Sequence, residues 1–147
     1  VEEYICIKKN SSKFKSNRKK EQTSTIKEIE SPSGLKIQIG GNNRQNELIS
    51  LRKGKKGDLW FHAQETPGSH VVLKSSNGLA DEKDIQLAAD LASFFSRARG
   101  NKVVPILMVP IENLQRISGA LPGTVTHRGG KVLWGKAERA EKYFHHK

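Results

Sequence analysis

The alternation of apolar and polar residues predicts three strands in the first half of the chain. Apolar residues alternate with polar ones over 35–40, which is the pattern of a half-buried strand. Two later runs, 58–63 and 69–74, are rich in β-branched and aromatic residues and flank a loop, so they predict neighbouring strands. The segment 47–51 could begin a short helix or a strand, and we favour a helix that leads into the loop 53–57.

The next segment predicts one main helix. Asp81 can cap it, and Asp84 follows three residues later in the position of a capping box. The helix should run to about Arg99 and stop at Gly100, which suits the C′ position. Its apolar face, in which alanines would allow close approach to a sheet, consists of Ile85, Ala88, Ala89, Ala92 and Phe95.

Strands are expected again after this helix. The run 103–109 predicts a buried strand, and Pro105 within it indicates an edge strand or a bulge. The segments 124–126 and 131–134 flank a glycine-containing turn at 127–130 and predict a hairpin. Together the elements predict an α+β fold, a mostly antiparallel β-sheet with one main helix packed across it.

Composition divides the chain into three parts. Residues 1–33 are basic, rich in Ser and Asn and poor in apolar residues, which is typical of a flexible linker. The turn 31–34 would mark the start of folded structure. We therefore expect a single domain over 34–137, followed by a polar, basic tail over 138–147.

The charge of the chain indicates a polyanionic partner. Among 147 residues, 26 Lys and Arg outnumber 15 Asp and Glu, which gives a formal net charge of +11. Such an excess favours nucleic acid, because each phosphate contact releases condensed counterions. A membrane surface is the rival polyanion, but no basic amphipathic helix with a bulky apolar face supports it.

Other features narrow the class of protein. The lone Cys6 excludes an internal disulfide and a cysteine-based zinc cluster, and it suits a reducing compartment. No apolar run approaches the roughly 20 residues of a membrane span. The N-terminus is polar and has no signal-peptide pattern. A cytoplasmic protein is therefore expected.

An unusual group of polar and aromatic side chains lies on the predicted strand pair. Strand alternation places these side chains on one face and apolar ones on the other. The favoured register sets Asp58, Trp60 and His62 opposite Lys74, Val72 and His70, respectively. The apolar face would be core, whereas the other face would be exposed. Trp60 could then stack on a base, and the histidines could contact phosphate or a 2′-hydroxyl.

Two other uses of this face are open, and a third is disfavoured. The group could be structural, with Trp60 in a second core and Asp58 and the two histidines bracing the turn. A metal-independent ribonuclease could use His62 and His70 as acid and base, with Lys74 on the phosphorane. A zinc site is disfavoured, because the two histidines lack the i, i+4 helical spacing of zinc motifs.

The loop 40–46 is the second candidate site. Its glycines would let the backbone approach a phosphate, and Arg44 with three Asn side chains could hydrogen-bond it. The segment is not a Walker loop, since the Lys-Ser/Thr ending is absent. A turn with Asn residues in left-handed conformations is an equally good interpretation.

Four segments of the chain form a recognisable set: Gly40-x-Asn42-Asn43-x-Gln45-Asn46, Asp58-Leu59-Trp60-Phe61-His62-Ala63, Pro67-Gly68-Ser69-His70-Val71-Val72 and Leu121-Pro122-Gly123-x-Val125. They resemble the NFACT-R family of RNA-binding domains, which occur in bacterial RqcH (fibronectin-binding protein A-like) and in eukaryotic NEMF. The resemblance covers roughly 34–136. Gly41 departs from it, because family members usually carry a basic residue there.

The resemblance implies an RNA-binding module of a ribosome-associated quality control factor. Full-length relatives bind stalled large ribosomal subunits that carry peptidyl-tRNA, recruit tRNA and add C-terminal tails to the nascent chain. The implied partners are the large subunit and tRNA or ribosomal RNA, with no catalytic residue, cofactor, metal or small-molecule substrate. The segment 1–33 could then be the end of a preceding coiled-coil region. An RNA-processing enzyme and a protein-interaction module are the alternatives.

The expected RNA-binding residues combine the two candidate sites with the lysine-rich loop between them. They are Asn42, Asn43, Arg44, Gln45, Asn46, Lys53, Lys55, Lys56, Asp58, Trp60, His62, Ser69, His70 and Lys74.

Overall fold

The computed structural model describes residues 26–145. Most of the predicted linker, together with Cys6 and His146, lies outside the described residues. The strands are β1 (Lys27–Glu30), β2 (Lys36–Ile39), β3 (Leu59–Ala63), β4 (Val71–Leu73), β5 (Val104–Pro110), β6 (Leu114–Arg116), β7 (Val125–His127) and β8 (Lys131–Gly135). The helices are α1 (Asn43–Glu47), α2 (Glu82–Phe94) and α3 (Ala137–His145).

The described strands form one large and one small antiparallel sheet. The large sheet has the order β1-β2-β4-β3-β5-β8, and the small sheet pairs β6 with β7. The predicted α+β fold, a mostly antiparallel sheet with one main helix across it, is confirmed. The predicted register is also confirmed, because Trp60 lies opposite Val72 and Phe61 lies opposite Val71.

Helix α2 and one face of the large sheet enclose the main core. Ala88, Ala89 and Ala92 are fully buried and bring the helix close to Phe61 and Ile106 of the sheet. The helix begins where its sequence predicts, since Asp84 Oδ2 accepts a hydrogen bond from the Asp81 N–H at 2.8 Å. Close packing on small side chains therefore fixes α2 against the sheet.

The predicted end of α2 near Arg99 is wrong, because the helix stops at Phe94. Beyond it the backbone pairs with the loop between β3 and β4. The Ser69 N–H donates to the Phe95 carbonyl at 3.0 Å, and the Arg97 N–H donates to the Pro67 carbonyl at 2.9 Å. These long-range bonds replace the helical ones, so the sequence signals at Gly100 do not set the end.

Both predicted domain boundaries exclude residues that belong to the fold. Strand β1 lies inside the predicted linker, yet it pairs with β2 along its whole length. Helix α3 starts at the last residue of the predicted domain and continues through the predicted tail, and it packs on α2 through Ala140, which is fully buried. The Tyr143 hydroxyl also donates to the Glu30 carbonyl at 2.8 Å, which ties α3 to β1.

The strands after α2 differ from prediction in their partners. Strand β5 lies between β3 and β8, so the expected edge position of Pro105 is wrong. Pro105 is tolerated because β3 has ended beside it, and its carbonyl accepts from the Gln64 N–H at 2.9 Å. The predicted hairpin is also wrong, since β7 pairs with β6 and β8 pairs with β5. Gly129 and Gly130, with φ of 66° and 119°, carry the chain from one sheet to the other.

A second apolar cluster fills part of the opposite face of the large sheet. Helix α1 lies mostly within the segment 40–46, which was expected to be a loop. The helix predicted over 47–51 corresponds to its π-helical continuation, Leu48–Arg52, which supplies the fully buried Ile49. The cluster consists of Ile49, Trp60, Val72, Val109, Ile111 and Leu114. This cover decides which of the predicted functional side chains reach solvent.

Candidate nucleic-acid interface

Most of the face expected to be exposed is buried. Asp58 has no exposed surface, and only 4% of Trp60, 6% of His70 and 8% of Lys74 is accessible. His62 alone of this group is half-buried. The prediction of an exposed stacking face is wrong because α1, its π-helical continuation and β6 cover it. The structural interpretation of this group, with Trp60 in a second core, fits the packing.

Asp58 and Lys74 form a buried ion pair that braces the lysine-rich loop. Lys74 Nζ donates to Asp58 Oδ2 at 2.5 Å and to the Lys53 carbonyl at 3.1 Å. The same carboxylate accepts from the backbone N–H groups of Lys55 and Ser76, each at 3.0 Å. Asp58 and Lys74, which the sequence predicts as RNA contacts, thus hold the backbone of the 53–57 loop.

This network also explains the ionisation of Asp58. Burial raises the pKa of the carboxyl, but hydrogen bonds from Lys74, Ser76 and Lys55 offset that effect and leave the pKa below its ordinary value. Asp58 is therefore charged at neutral pH. Its charge is matched by Lys74, so neither group is left unpaired in the interior.

Trp60, His62 and His70 form a compact aromatic group. Trp60 stacks on His62 with a centroid distance of 5.6 Å, and His70 meets both rings edge-on at 5.1 and 5.4 Å. His70 Nδ1 lies 2.8 Å from Ser50 Oγ, and the His70 N–H donates to Asn46 Oδ1 at 3.1 Å. Within the described residues the buried Trp60 Nε1 has no hydrogen-bond partner.

Burial makes both histidines poor bases. It lowers the pKa of His70 to about 3, with a further contribution from the neighbouring His62. It also lowers the pKa of His62, although bonds with the backbone of Gly68 and Ala63 oppose the effect. Both rings are neutral near pH 7, so they add no positive charge for phosphate. A buried, neutral His70 is also poorly suited to donate a proton in catalysis.

The loop 40–46 is held by its own side chains. Asn42 Oδ1 accepts from the Gln45 N–H at 2.9 Å and caps α1, while Gln45 Oε1 accepts from the Gly41 N–H at 2.7 Å. Gln45 and Asn46 are buried. Of the predicted contacts in this loop, Asn42 and Asn43 are exposed and Arg44 is half-buried.

Segments that are far apart in the sequence meet at this loop. The Gly40 N–H donates to the His70 carbonyl at 3.0 Å, which joins the loop to the start of β4. The Gly123 N–H donates to Glu47 Oε1 at 3.2 Å, and a Cβ at Gly123 would lie 2.9 Å from the Asn43 carbonyl oxygen. The motif around Leu121-Pro122-Gly123 is therefore packed against α1.

A groove of about 360 Å³ opens where these segments meet. It is lined by 40–43 and Asn46, by 67–69, and by Phe95 and Arg97. Ser69, a predicted contact, belongs to this lining and is half-buried. Arg97 is not among the predicted contacts, because the predicted helix α2 runs past it to about Arg99. Its only signal in the sequence was a positive charge close to Gly100.

The lysine-rich loop provides a second accessible surface. Lys53, Lys55 and Lys56 are exposed, and their backbone is held by the Asp58 network. The predicted site residues thus differ in accessibility. Exposed or half-buried are Asn42, Asn43, Arg44, Lys53, Lys55, Lys56, His62 and Ser69, whereas Gln45, Asn46, Asp58, Trp60, His70 and Lys74 are buried.

Residues 26–145 contain neither a candidate metal site nor a membrane-spanning helix. No group of three or more His, Cys, Asp or Glu side chains there has the geometry to hold a metal ion. No helix in the same range has the length and apolar character needed to cross a membrane.

The fold and the converging motifs agree with a comparison against known families. Residues 24–129 match the model described as NFACT protein RNA binding domain. The chain belongs to this family. The NFACT RNA-binding domain match starts before β1, which agrees with the place of that strand in the sheet.

Curated relatives of this NFACT domain are RqcH proteins. The chain is 40% identical over 110 residues to the Rqc2 homolog RqcH of Bacillus subtilis, covering 75% of this chain and 19% of that protein. It is 43% identical over 97 residues to RqcH of Streptococcus suis, covering 66% of this chain and 17% of that protein. The chain thus spans about a fifth of the length of these relatives.

A solved structure has the same fold. It is the C-terminal part of the fibronectin/fibrinogen-binding protein from Streptococcus suis. The TM-score is 0.73 at 36% identity, and the match covers 80% of this chain and 48% of that chain. The family suggested by the sequence motifs is therefore confirmed by sequence and by structure.

Proposed function

We propose that this chain is the RNA-binding module of an RqcH-like factor that acts on stalled large ribosomal subunits carrying peptidyl-tRNA. The match to the NFACT RNA-binding domain carries this proposal. The net charge of +11 supports it, because phosphate neutralisation supplies most of the affinity of such modules. In the full-length protein the module would assist tRNA recruitment and C-terminal tailing of the nascent chain. A cytoplasmic location follows from this role.

The contact surface in this proposal has two parts, the groove and the lysine-rich loop. Lys53, Lys55 and Lys56 are exposed on a braced backbone, so they can meet phosphates without ordering the loop first. Asn43, Ser69 and Arg97 offer hydrogen bonds along the groove. Aromatic stacking by Trp60 has no part in it, since the indole is buried.

Binding is favoured over catalysis at this surface. A metal-independent ribonuclease would need one protonated and one neutral histidine that touch the RNA. His70 is buried and so does not touch the RNA, and burial lowers its pKa to about 3, so it is not the protonated partner near pH 7. Incubation of labelled RNA with the protein should leave the RNA intact with and without chelator.

Salt dependence of RNA affinity tests the proposal. Binding of bulk tRNA and of ribosomal RNA should weaken steeply as salt is raised. The double variant Lys55→Gln, Lys56→Gln should lower the slope of log K against log salt by about 1 to 2. Lys83→Gln with Lys142→Gln removes the same charge from α2 and α3, behind the opposite face of the sheet, and should change the slope less.

Two results would contradict the proposal. One is a flat salt response of the unmodified chain, and the other is an equal effect of the two double variants. Crosslinking on isolated large subunits separates RNA from protein contacts. Crosslinks to ribosomal proteins alone would favour a protein-interaction module instead.

A further inference from the structure

Strand β8 forms one edge of the large sheet, and its side chains face the main core on one side and solvent on the other. Leu133 packs into the main core, and a Cβ at Gly135 would lie 2.6 Å from the Ala89 carbonyl oxygen of α2. Val132 and Trp134 alternate with these residues and therefore lie on the opposite face. That face is the one that carries Trp60, but here no helix covers it within the described residues.

Trp134 lies in an open apolar area on this face. Its indole side chain is 59% exposed and that of Val132 is 44% exposed, in contrast to 4% for Trp60. Trp134 lies opposite Pro105 on β5, and Val132 lies opposite Leu107. Leu107 in turn lies opposite His62 on β3, so the area continues to the one half-exposed ring of the aromatic group.

The stretch of sequence that contains β5 and β8 has few acidic residues. Between Asp90 and Glu138 the only acidic residue is Glu112. The same stretch contains Arg97, Arg99, Lys102, Arg116, Arg128, Lys131 and Lys136, all of them exposed. Strands β5 and β8 belong to this stretch. Arg128 precedes β8 and Lys136 follows it, so a positive side chain stands in the sequence on each side of this strand.

We propose that Trp134 is a stacking platform for an unpaired base of single-stranded RNA. A large exposed indole on a strand flanked in sequence by Lys and Arg suits sequence-tolerant single-strand binding, because every base has a π-face. A base inside an A-form duplex is already stacked and cannot reach the ring. This inference rests on the proposed function and names the class of RNA, a strand with unpaired bases, that the module would prefer.

The backbone of Trp134 is fixed independently of its side chain. The Trp134 carbonyl accepts from Gln86 Nε2 at 3.0 Å, and β8 is paired with β5 through five residue pairs. Replacement of the exposed indole should therefore leave the fold intact. A loss of RNA affinity in such a variant can then be assigned to the lost platform.

Tryptophan fluorescence gives a direct measurement. The chain has two tryptophans, and Trp60 is buried, so quenching by an added ligand reports mainly on Trp134. A 12-residue single-stranded oligouridine should quench the emission, while a blunt duplex of equal length should not. Trp134→Ala should weaken oligouridine binding roughly 5- to 150-fold, the effect of losing one base stack. Trp134→Phe should restore part of it, and Leu79→Ala, at a side chain 97% exposed elsewhere, should have no effect.

The outcomes separate this inference from the proposed function. If the unmodified chain binds no RNA, both fail. If it binds RNA and Trp134→Ala binds oligouridine equally well, the platform alone is refuted and the RNA-binding function stands. Unchanged RNA affinity together with a concentration-dependent mass in sedimentation, lost in Trp134→Ala, would assign this face to contact between two copies of the chain.

Discussion

A single carboxylate, that of Asp58, holds three parts of the backbone together. It is fully buried, and it accepts hydrogen bonds from Lys74 Nζ, just after β4, and from the backbone N–H groups of Lys55 and Ser76. Charge-assisted bonds of this kind are stronger than neutral ones. A residue whose chemistry suggests contact with RNA thus acts one step behind the surface, by shaping the loop that carries the exposed lysines.

Replacement of Asp58 by Asn should destabilise the domain strongly. The variant keeps the size of the side chain but leaves Lys74 as a buried charge without its partner, which typically costs about 3–5 kcal/mol. The free energy of unfolding from urea titrations measures the change. Glu138→Gln breaks an exposed pair with Lys142 at 3.9 Å and should have little effect. Similar losses in the two variants would contradict the bracing role.

The sequence predicts the contacts of these residues better than their burial. Alternation and the apolar pattern set the register, which pairs Trp60 with Val72 and brings Asp58 to Lys74. The cover over that face comes from Ile49 and Leu114, which are distant in the chain. No local sequence pattern indicates that these distant residues pack over the strand pair. The many polar groups on this face therefore predict exposure.

At the scale of elements, the groove depends on how closely two turns approach each other. Gly40 lies against Asn46, and a Cβ at this position would lie 2.0 Å from Asn46 Oδ1 and 2.9 Å from its backbone nitrogen. Asn46 Oδ1 in turn accepts from the His70 N–H. The missing side chain of Gly40 therefore allows the loop 40–46 to be bonded to β4.

Gly40→Ala should disturb both stability and RNA binding. The added methyl group must displace the buried Asn46, and overpacking of this kind costs about 1–3 kcal/mol. Affinity for tRNA should also fall in conditions where the variant is folded, because Gly40 and Asn46 line the groove. Gly100→Ala adds the same group where nothing lies within 4 Å and is the matched control. Unchanged stability and unchanged tRNA affinity in Gly40→Ala would contradict this account of the groove.

Element starts are more predictable than element ends in this fold. The start of α2 depends on Asp81 and Asp84, which are three residues apart. Its end depends on bonds from Ser69 and Arg97, which join α2 to a loop some 30 positions away. These bonds place Arg97 in the lining of the groove. The local signals near Gly100 predict a longer helix and therefore do not reveal this position.

At the scale of the whole molecule, RNA attraction and the buried histidines are separate features. The positive charge comes from the 26 Lys and Arg side chains. Burial keeps His62 and His70 neutral near pH 7 because it lowers the pKa of each ring. These two rings therefore add no charge that would attract RNA near pH 7. Stability, in contrast, is linked to these two rings.

The free energy of unfolding should fall as the pH is lowered from about 6.5 towards 5. Histidines of the unfolded chain bind protons in this range, whereas folded His70, with a pKa of about 3, does not, so protons favour unfolding. For one histidine the loss is roughly 2 kcal/mol, measured by urea titrations at several pH values. His70→Gln should flatten this dependence. Ser50→Ala removes the hydroxyl 2.8 Å from His70 Nδ1 but keeps the imidazole, so it should retain the slope, and equal slopes in the two variants would refute the link.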